Sequence, residues 1–445
     1  MHDQRGANWF TAQETRALLA RLARVKPFVL HETMVPAAAL LPESQIAIER
    51  FLAQGRQELR QRAHAFLHWL GTREGQLASP AEAQRRFTLL RLRFNDLLSQ
   101  FDTFADVITQ RSEHETGVWL SGLDVAAADA LTLPDYYAAP PVICYLDRGH
   151  GAAIRRARTR LPGGGENPVA IIRIPRERMV GSGIASSLVH EVGHQGSALL
   201  DLVGSIGPIL RGLQHQDDGP RELAWRLWER WISEILADFW AIAKVGITST
   251  LGLMGIVSLP SAFVFRISLD DPHPIPWLRV KLSCAIGNAL YPHPQWDRLS
   301  QLWESFYPPI DLSQPKRDLL ALMEEAFPDF VTLLIDHQPK SLRGRSLRES
   351  LANDERRPEN LIACYRSWLA TPQAIRQVPP TLAFAAIGQA RADGQITPEL
   401  ESKAIGNLLT DWAVRSTLDV AAHCAAHSAS IGPSPSSNLR SLLMN

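Results

Sequence analysis

Cysteine is scarce in this chain. Four cysteines occur among the 445 residues, at positions 144, 284, 364 and 424, and no two of them form a C-x-x-C pair. Such wide spacing excludes a disulfide framework as the basis of the fold. We therefore expect reduced, incidental thiols, which are typical of a cytoplasmic protein.

An excess of either charge is also lacking, because 46 lysines and arginines balance 46 aspartates and glutamates. The balance excludes a global basic field of the kind that binds nucleic acid, and no acidic bias favours a basic partner. The first nine residues carry charges and an amide where a signal peptide has a continuous apolar core, so we expect no Sec-type export. No internal repeat with a period of about 20–50 residues is present.

Long apolar runs are nearly absent as well. Residues 245–265 carry no charge and approach the roughly 20 residues that a membrane span requires. The same stretch contains three glycines, several hydroxyl side chains and Pro260, and no second stretch accompanies it. We expect no membrane span here, and a buried helix beside the candidate site instead.

The main chemical signal is the stretch 189–195, Val-His-Glu-Val-Gly-His-Gln. His190 and His194 are four residues apart, so on a helix they lie about 40° from each other around the axis and roughly 6 Å apart along it. Both rings can then reach one ion, while Glu191 can hold and deprotonate a metal-bound water. This is the H-E-x-x-H signature of zinc peptidases. The alternative is an ordinary solvated helical turn with two histidines.

A second helical motif follows in residues 231–240, where Glu234 and Asp238 are again four apart. Glu234 would complete a set of two histidines and one carboxylate, with the fourth zinc position left to water. Asp238 suits a role behind the ligands, accepting the free ring N–H of a histidine. His215, between the two motifs, is the rival third ligand.

These motifs together resemble the gluzincins, in which H-E-x-x-H is followed by E-x-x-x-D on a second helix. Residues 271–279, Asp-Pro-His-Pro-Ile-Pro-Trp-Leu-Arg, resemble the His-Pro…Arg segment of minimal gluzincins of the HtpX type. The resemblance covers about residues 140–282. It implies a Zn²⁺ cofactor, peptide hydrolysis and an edge strand that lays an extended substrate across the cleft. The spacer between the metal motifs is longer here, and no clear set of membrane spans is present.

His273 is the candidate donor to the oxyanion that forms on the scissile carbonyl. The prolines on both sides of it restrict the backbone, which suits a group that must be aimed before the reaction. The resemblance favours this role and makes Arg279 the partner that steadies the site. The alternative is a stiffened loop whose histidine caps a helix near Pro276. Tyr291 and His293 are the other donor candidates.

Two further glutamates, Glu166 and Glu177, are alternative general bases because they lie near the metal motif in sequence. The loop 161–168 that contains Glu166 has three glycines but lacks the Gly-Lys-Ser/Thr ending of a phosphate loop. We interpret those glycines as turn formers. The glycine-rich segment 204–219 is expected to belong to the loop between the metal motifs.

Apolar periodicity predicts helices over most of residues 9–131. One covers residues 41–70, and another begins at Ser79, which is followed by proline and then glutamate, and extends to about residue 111. A later helix starts at Pro398, and the Ser/Pro/Gly-rich tail 428–437 is expected to be disordered.

Strands are predicted at residues 142–146 and 169–175, and the proline that closes the second suits either a sheet edge or the end of a strand. Ser182 is the expected N-cap of the metal helix.

The predicted fold class is α+β and predominantly α-helical. We expect an N-terminal helical region at 1–131, a small mixed-sheet zincin core at 132–290 and a C-terminal helical region at 291–445. The predicted activity is a zinc-dependent endopeptidase with a polypeptide substrate. A zinc amidase acting on a non-protein substrate is one alternative, and a helical interaction protein that retains a zinc site is another. The helical flanks can form a lid or dock a protein partner.

Overall fold

Helices dominate the fold, and a small sheet lies among them. The computed structural model describes residues 2–26, 34–148, 151–176, 181–216, 219–268 and 271–430. It is 76% helical with one three-stranded mixed sheet. The predicted α+β class with a predominance of helix is therefore confirmed. The division into three regions stays a prediction.

The elements before the metal motif are five helices and three strands. The helices are α1 His2–Arg24, α2 Pro42–Gly71, α3 Arg73–Leu77, α4 Pro80–Thr109 and α5 His114–Leu131. The strands are β1 Val142–Asp147, β2 Ala153–Arg155 and β3 Ala170–Pro175.

The remaining described chain is helical. The helices around the candidate site are α6 Ser182–Leu199, α7 Leu202–Gln216, α8 Arg221–Val245, α9 Ile247–Val257, α10 Ser261–Val264 and α11 Pro276–Leu290. The later ones are α12 Gln295–Phe306, α13 Gln314–Glu325, α14 Phe327–Asp336, α15 Leu347–Leu351, α16 Pro358–Ala370, α17 Pro380–Ala392 and α18 Pro398–Ser430. Six described 3-10 turns are Pro36–Ala38, Gln110–Ser112, Pro309–Asp311, Lys340–Leu342, Asp354–Arg356 and Pro372–Gln377.

The predicted helix starts are confirmed where local capping chemistry defines them. Ser79 Oγ accepts a hydrogen bond from Glu82 N at 3.2 Å, and α4 follows. Helix α18 begins at Pro398 as predicted. The part of the expected disordered tail beyond residue 430 lies outside the described residues.

Ser182 does not have its predicted role as an N-cap. The cap position is Gly181, and no side chain bonds there to the first turn of α6. Ser182 Oγ instead donates to the buried Glu401 Oε1 at 2.6 Å. The start of the metal helix is thus tied to α18, a contact across 219 residues of sequence that local patterns do not reveal.

The sheet order is β1-β3-β2, with β1 parallel and β2 antiparallel to β3. Of the two positions that the proline of residues 169–175 allowed, the sheet edge is wrong, because β3 is central. The strand end is confirmed, because Pro175 is the last residue of β3. The edge is β2, whose three residues are too few to give a sequence period.

Four side chains from the N-terminal helices occupy the place of a neighbouring strand along β1. They bond to main-chain groups at three alternate residues: Ser44 to Val142, Asp124 and Arg111 to Cys144, and Gln110 to both N and O of Leu146. These bonds are 2.7 to 3.0 Å long. Because these groups are already paired, β2 is the edge left for a further extended chain.

The sheet separates two apolar clusters. Cys144, Ile172 and Ile174 belong to a large cluster that includes residues of α6 and α8. Ile143 and Ile171, on the opposite face, pack into a smaller cluster with the helices of the N-terminal region. Because side chains alternate between the two faces along each strand, the one sheet contributes residues to both apolar clusters.

Two predictions for the surroundings of the site need correction. Residues 204–219 are not simply a loop, because α7 covers them as far as Gln216. The apolar stretch 245–265 is not one buried helix. The buried α9 packs against α6, where Ser186 Oγ donates to Ser249 O at 3.0 Å, but residues 258–263 are exposed. Of the helices in the described ranges, none combines the length and apolarity needed to cross a membrane.

Candidate metal centre

Two glycines allow α6 and α8 to pack closely. A Cβ placed on Gly193 would lie 2.9 Å from both the Cα of Ala237 and the Cβ of Trp240, and one on Gly196 would lie 2.5 Å from the Trp240 ring. Contacts this short would force the helices apart. The small residues inside and just after the H-E-x-x-H motif therefore permit the approach that brings both metal motifs together.

His190, His194 and Glu234 converge at this helix contact. His190 Nε2 lies 3.3 Å from Glu234 Oε2, and His194 Nε2 lies 3.4 Å from Glu234 Oε1. The two imidazole rings are 4.9 Å apart and nearly perpendicular, at 84°. One ligand atom from each of the three side chains lies within 4.8 Å of the others.

This spacing fits a small tetrahedral cation. Ligand atoms at about 2.0–2.1 Å from zinc in tetrahedral geometry are about 3.3–3.4 Å apart. The observed separations are longer than the roughly 2.7–3.2 Å of ordinary N–H···O bonds. Two imidazoles with one carboxylate are a set that zinc takes in catalytic sites, and the three side chains stay 16, 16 and 11% exposed.

Asp238 and Arg279 support the three candidate ligands from behind. Asp238 Oδ1 lies 2.8 Å from His190 Nδ1, which leaves Nε2 to face Glu234. Arg279 donates to both oxygens of Asp238, through Nε at 2.7 Å and Nη2 at 2.9 Å, and approaches Glu234 Oε2 at 3.3 Å. The fork of Arg279 thus fixes the carboxylates of Glu234 and Asp238 on α8 at once.

Burial and charge both act on the ionisable groups of the centre. Burial raises the pKa of Glu191, which is 6% exposed, although the two histidines oppose this effect. Burial disfavours the charged form of His190, but Asp238 and Glu234 outweigh it and raise its pKa to about 10. Because a ligand imidazole must be neutral, a metal entering the set competes with that proton.

The neighbouring positive groups keep the carboxylates of Asp238 and Glu234 ionised. Burial works against the charge of Asp238, yet Arg279 and His190 lower its pKa to about 2. Burial likewise opposes ionisation of Glu234, and the two histidines with Arg279 still hold its pKa well below the usual range. The result is a buried pair of anions opposite two imidazoles, which favours a cation.

His273 lies at the edge of the centre. Its Nε2 is 3.5 Å from Glu234 Oε2, its side chain is 53% exposed, and it is outside the group of three that can share one ion. Asp271 Oδ1 lies 2.7 Å from His273 Nδ1 and accepts the main-chain N–H of the same residue at 3.0 Å. Asp271 was not predicted, although an aspartate two residues before the bonded N–H is a known turn signal.

The other sequence candidates are not brought to the centre. Tyr291 is buried and donates to a main-chain carbonyl of α8 at 2.7 Å, while His293 Nδ1 accepts a main-chain N–H at the start of α12. His215 is not among the three residues that can share an ion. Glu166 lines a cavity against α2 and α4. Glu177 lies outside the described residues.

Two further contacts near the centre were not predicted from the sequence. Ser233 Oγ lies 3.5 Å from His194 Nδ1, where it faces the second histidine as Asp238 faces the first. Gln195 Oε1 accepts the main-chain N–H of Ala157 at 2.8 Å, so the residue after His194 holds the chain that leaves β2. This bond links the edge strand directly to the metal helix.

No protein-family model, curated protein or solved structure matches this chain. The arrangement of the residues is therefore the basis of the functional assignment.

Proposed function

We propose that this protein is a zinc-dependent endopeptidase with a gluzincin-like core. The observation that carries the proposal is the separation of 3.3 and 3.4 Å between the two histidine Nε2 atoms and the oxygens of Glu234, with Glu191 on the same turn of α6. These are separations expected for ligands of one tetrahedral ion. A closed structural site would more often have a fourth protein ligand.

His190, His194 and Glu234 would hold the ion. When bound there, zinc would polarise a substrate carbonyl and lower the pKa of a coordinated water from 15.7 toward about 7. Glu191 accepts a proton from the attacking water and delivers it to the leaving amine. Its raised pKa supports this role, since a base must also release its proton.

His273 is the proposed donor to the developing oxyanion. Its position beside Glu234 and its anchoring by Asp271 hold the ring at the open edge of the centre. Because Asp271 Oδ1 pairs with Nδ1, Nε2 is left to face substrate, and the ring donates from Nε2 as the imidazolium, which carries an N–H on both nitrogens. Asp238 and Arg279 keep His190 and Glu234 oriented and act through them.

The free edge of the sheet favours a peptide over a small amide substrate. Strand β2 is antiparallel to β3 at the edge, and Gln195 ties its continuation to the metal helix. An extended chain can add its main-chain hydrogen bonds to such an edge. The opposite edge is closed by side chains along β1, so only one side of the sheet offers this binding mode.

Comparison of the wild type with Glu191→Gln on peptide pools, read by mass spectrometry, tests the proposal. Glutamine preserves the shape of the side chain but cannot take the proton, so we expect turnover to fall by about 10²–10⁴-fold. Zinc content and unfolding temperature should not change. Glu222→Gln, an exposed position on α8, is the matched control.

Absence of any cleavage by the zinc-loaded wild type would reject the peptidase assignment. Full activity of Glu191→Gln would retain a hydrolase but transfer the role of base to another group.

A further inference from the structure

A run of arginines follows the exposed strand β2. Between Asp147 and Glu166 the sequence has five arginines, at positions 148, 155, 156, 158 and 160, and no carboxylate side chain. The whole chain is neutral, so this concentration of positive charge is local. It lies where the sheet presents its free edge.

Three of these arginines are exposed, and the described part of the chain supplies them with no counter-charge. Arg155, Arg156 and Arg158 are all exposed, and within the described ranges none of the three forms an ion pair. Arg158 Nη2 contacts the carbonyl of Ala138 at 3.4 Å. By contrast, Arg173 on the neighbouring strand β3 lies 3.7 Å from Asp147 and is partly neutralised.

Two of the arginines lie next to the contact between the chain that follows β2 and the metal helix. Arg156 and Arg158 flank Ala157, whose main-chain N–H is bonded to Gln195 beside His194. Arg155 is the last residue of β2 and points to the face of the sheet opposite α6, across a groove of about 720 Å³ that Arg173 and Asp106 also line. A strand added to β2 alternates its side chains between both faces.

We propose that this edge selects acidic polypeptide segments, an inference that rests on the proposed peptidase function. Main-chain bonds to β2 hold the segment, and its carboxylates pair with Arg155, Arg156 and Arg158. Guanidinium–carboxylate pairs are strong and directional. Because these three arginines form no ion pair within the described residues, pairing with a substrate breaks none there.

A nucleic acid fits these features less well. Surfaces that bind single strands alternate cations with aromatic side chains on which bases stack, and residues 148–165 contain no Phe, Tyr or Trp. An edge strand, in contrast, offers N–H and C=O groups that match a peptide. The patch therefore favours an acidic peptide.

Binding is measured first, on Glu191→Gln, so that cleavage does not interfere. The probes are fluorescein-labelled peptides of about 12 residues in which threonine alternates with glutamate, glutamine or lysine, followed by anisotropy. We expect the glutamate peptide to bind about 10-fold more tightly than the glutamine peptide, because three exposed ion pairs together contribute roughly 3- to 100-fold. The difference should shrink as salt is raised.

A charge-reversed pair, Arg156→Glu with Arg158→Glu in the Glu191→Gln background, should lose this preference. The matched control is Arg91→Glu with Arg366→Glu, two exposed arginines on α4 and α16, which should retain it. Equal binding of the three peptides, or an unchanged preference after reversal of the pair, overturns the proposal. Tighter binding of an oligothymidylate of equal charge also overturns it and identifies a nucleic-acid surface.

Cleavage by the wild type separates this inference from the proposed function. Peptides with one common core and acidic or neutral flanks are compared by kcat/KM. Binding of the acidic peptide without cleavage of any peptide rejects the peptidase and supports acidic recognition. Cleavage of both kinds with equal kcat/KM supports the peptidase and overturns the acidic preference.

Discussion

Two arginines that are almost wholly buried, Arg111 and Arg279, each meet an aspartate, yet the surroundings of the two pairs differ. Arg111 and Asp124 are 0% exposed, and both also bond to the main chain of β1 at Cys144. Arg279 and Asp238 are 12 and 11% exposed, and their neighbours are side chains.

The two pairs differ in the kinds of atoms that face each other around the arginine. Around Arg111, Nη2 donates to Asp124 and to the main chain of β1, and these contacts hold the strand in place. Around Arg279, the potential metal-ligand atoms of His190, His194 and Glu234 face one another at spacings that a cation between them makes favourable. A buried charge alone therefore does not identify a site, whereas convergent metal-ligand atoms do. We expect changes at the first pair to alter stability and changes at the second to alter metal binding or activity.

The largest expected effect is loss of the metal. Protein purified without added metal should contain close to one zinc per chain, and His194→Ala or Glu234→Ala should remove it, because two remaining ligands hold zinc weakly. Elemental analysis with a folded-state check by circular dichroism measures this. A wild type without zinc, or an alanine variant that keeps it, would contradict the assignment.

Removal of the Asp124 carboxylate from the Arg111–Asp124 pair should lower the stability of the fold. Asp124→Ala leaves Arg111 buried without a counter-charge, which costs about 3–5 kcal/mol in the free energy of unfolding. Urea titration measures the loss, and the folded fraction should keep its zinc. Replacement of both residues by apolar ones, Arg111→Met with Asp124→Leu, should restore much of it. Zinc loss from Asp124→Ala at unchanged stability would contradict the distinction between a stabilising pair and a pair that supports the metal centre.

His273→Ala should affect the chemical step alone. We expect kcat to fall by roughly 10²–10³-fold with zinc content and KM nearly unchanged, because the donor acts on charge that appears in the transition state. Steady-state kinetics on a cleaved peptide measures the change, and Asp271→Asn should give a smaller decrease in the same direction. An unaltered kcat would assign His273 a structural role.

The smallest effect is expected at Asp238, which contacts the candidate ligand His190 but is not itself a candidate ligand. Asp238→Asn should weaken zinc binding by about 10–100-fold without abolishing it, since the amide orients His190 less firmly. Competition with a chelator measures the affinity, and Asp336→Asn, an exposed aspartate on α14, is the control. An unchanged affinity would mean that Arg279 and Asp238 serve packing only.

The sequence predicted the features that depend on neighbours along one helix. The i, i+4 spacing places His190 beside His194 and Glu234 beside Asp238, and the capping residues defined the start of α4. Each of these follows from local geometry. The convergence of the two helices needed the resemblance as well, because 40 residues of chain separate His194 from Glu234.

Contacts between distant segments could not be predicted. The order of the strands depends on pairing across the sheet, so the sequence left open whether the proline of residues 169–175 marks a sheet edge or the end of a central strand. Ser182 has the composition of a cap, but a glutamate 219 residues away binds its hydroxyl. The bond between Gln195 and Ala157, and the fork of Arg279, are of the same kind. Their partners are defined by the fold and not by a sequence period.

Because side chains cover the outer edge of β1, the order of synthesis and the choice of a truncated fragment both matter for this strand. Ser44, Gln110, Arg111 and Asp124 all precede Val142, so during synthesis the groups that cover this edge leave the ribosome before the strand does. In a chain made from the N-terminus, these four groups are therefore already available when the strand emerges. A fragment that began at residue 132 would present this edge unpaired, ready to join a second copy.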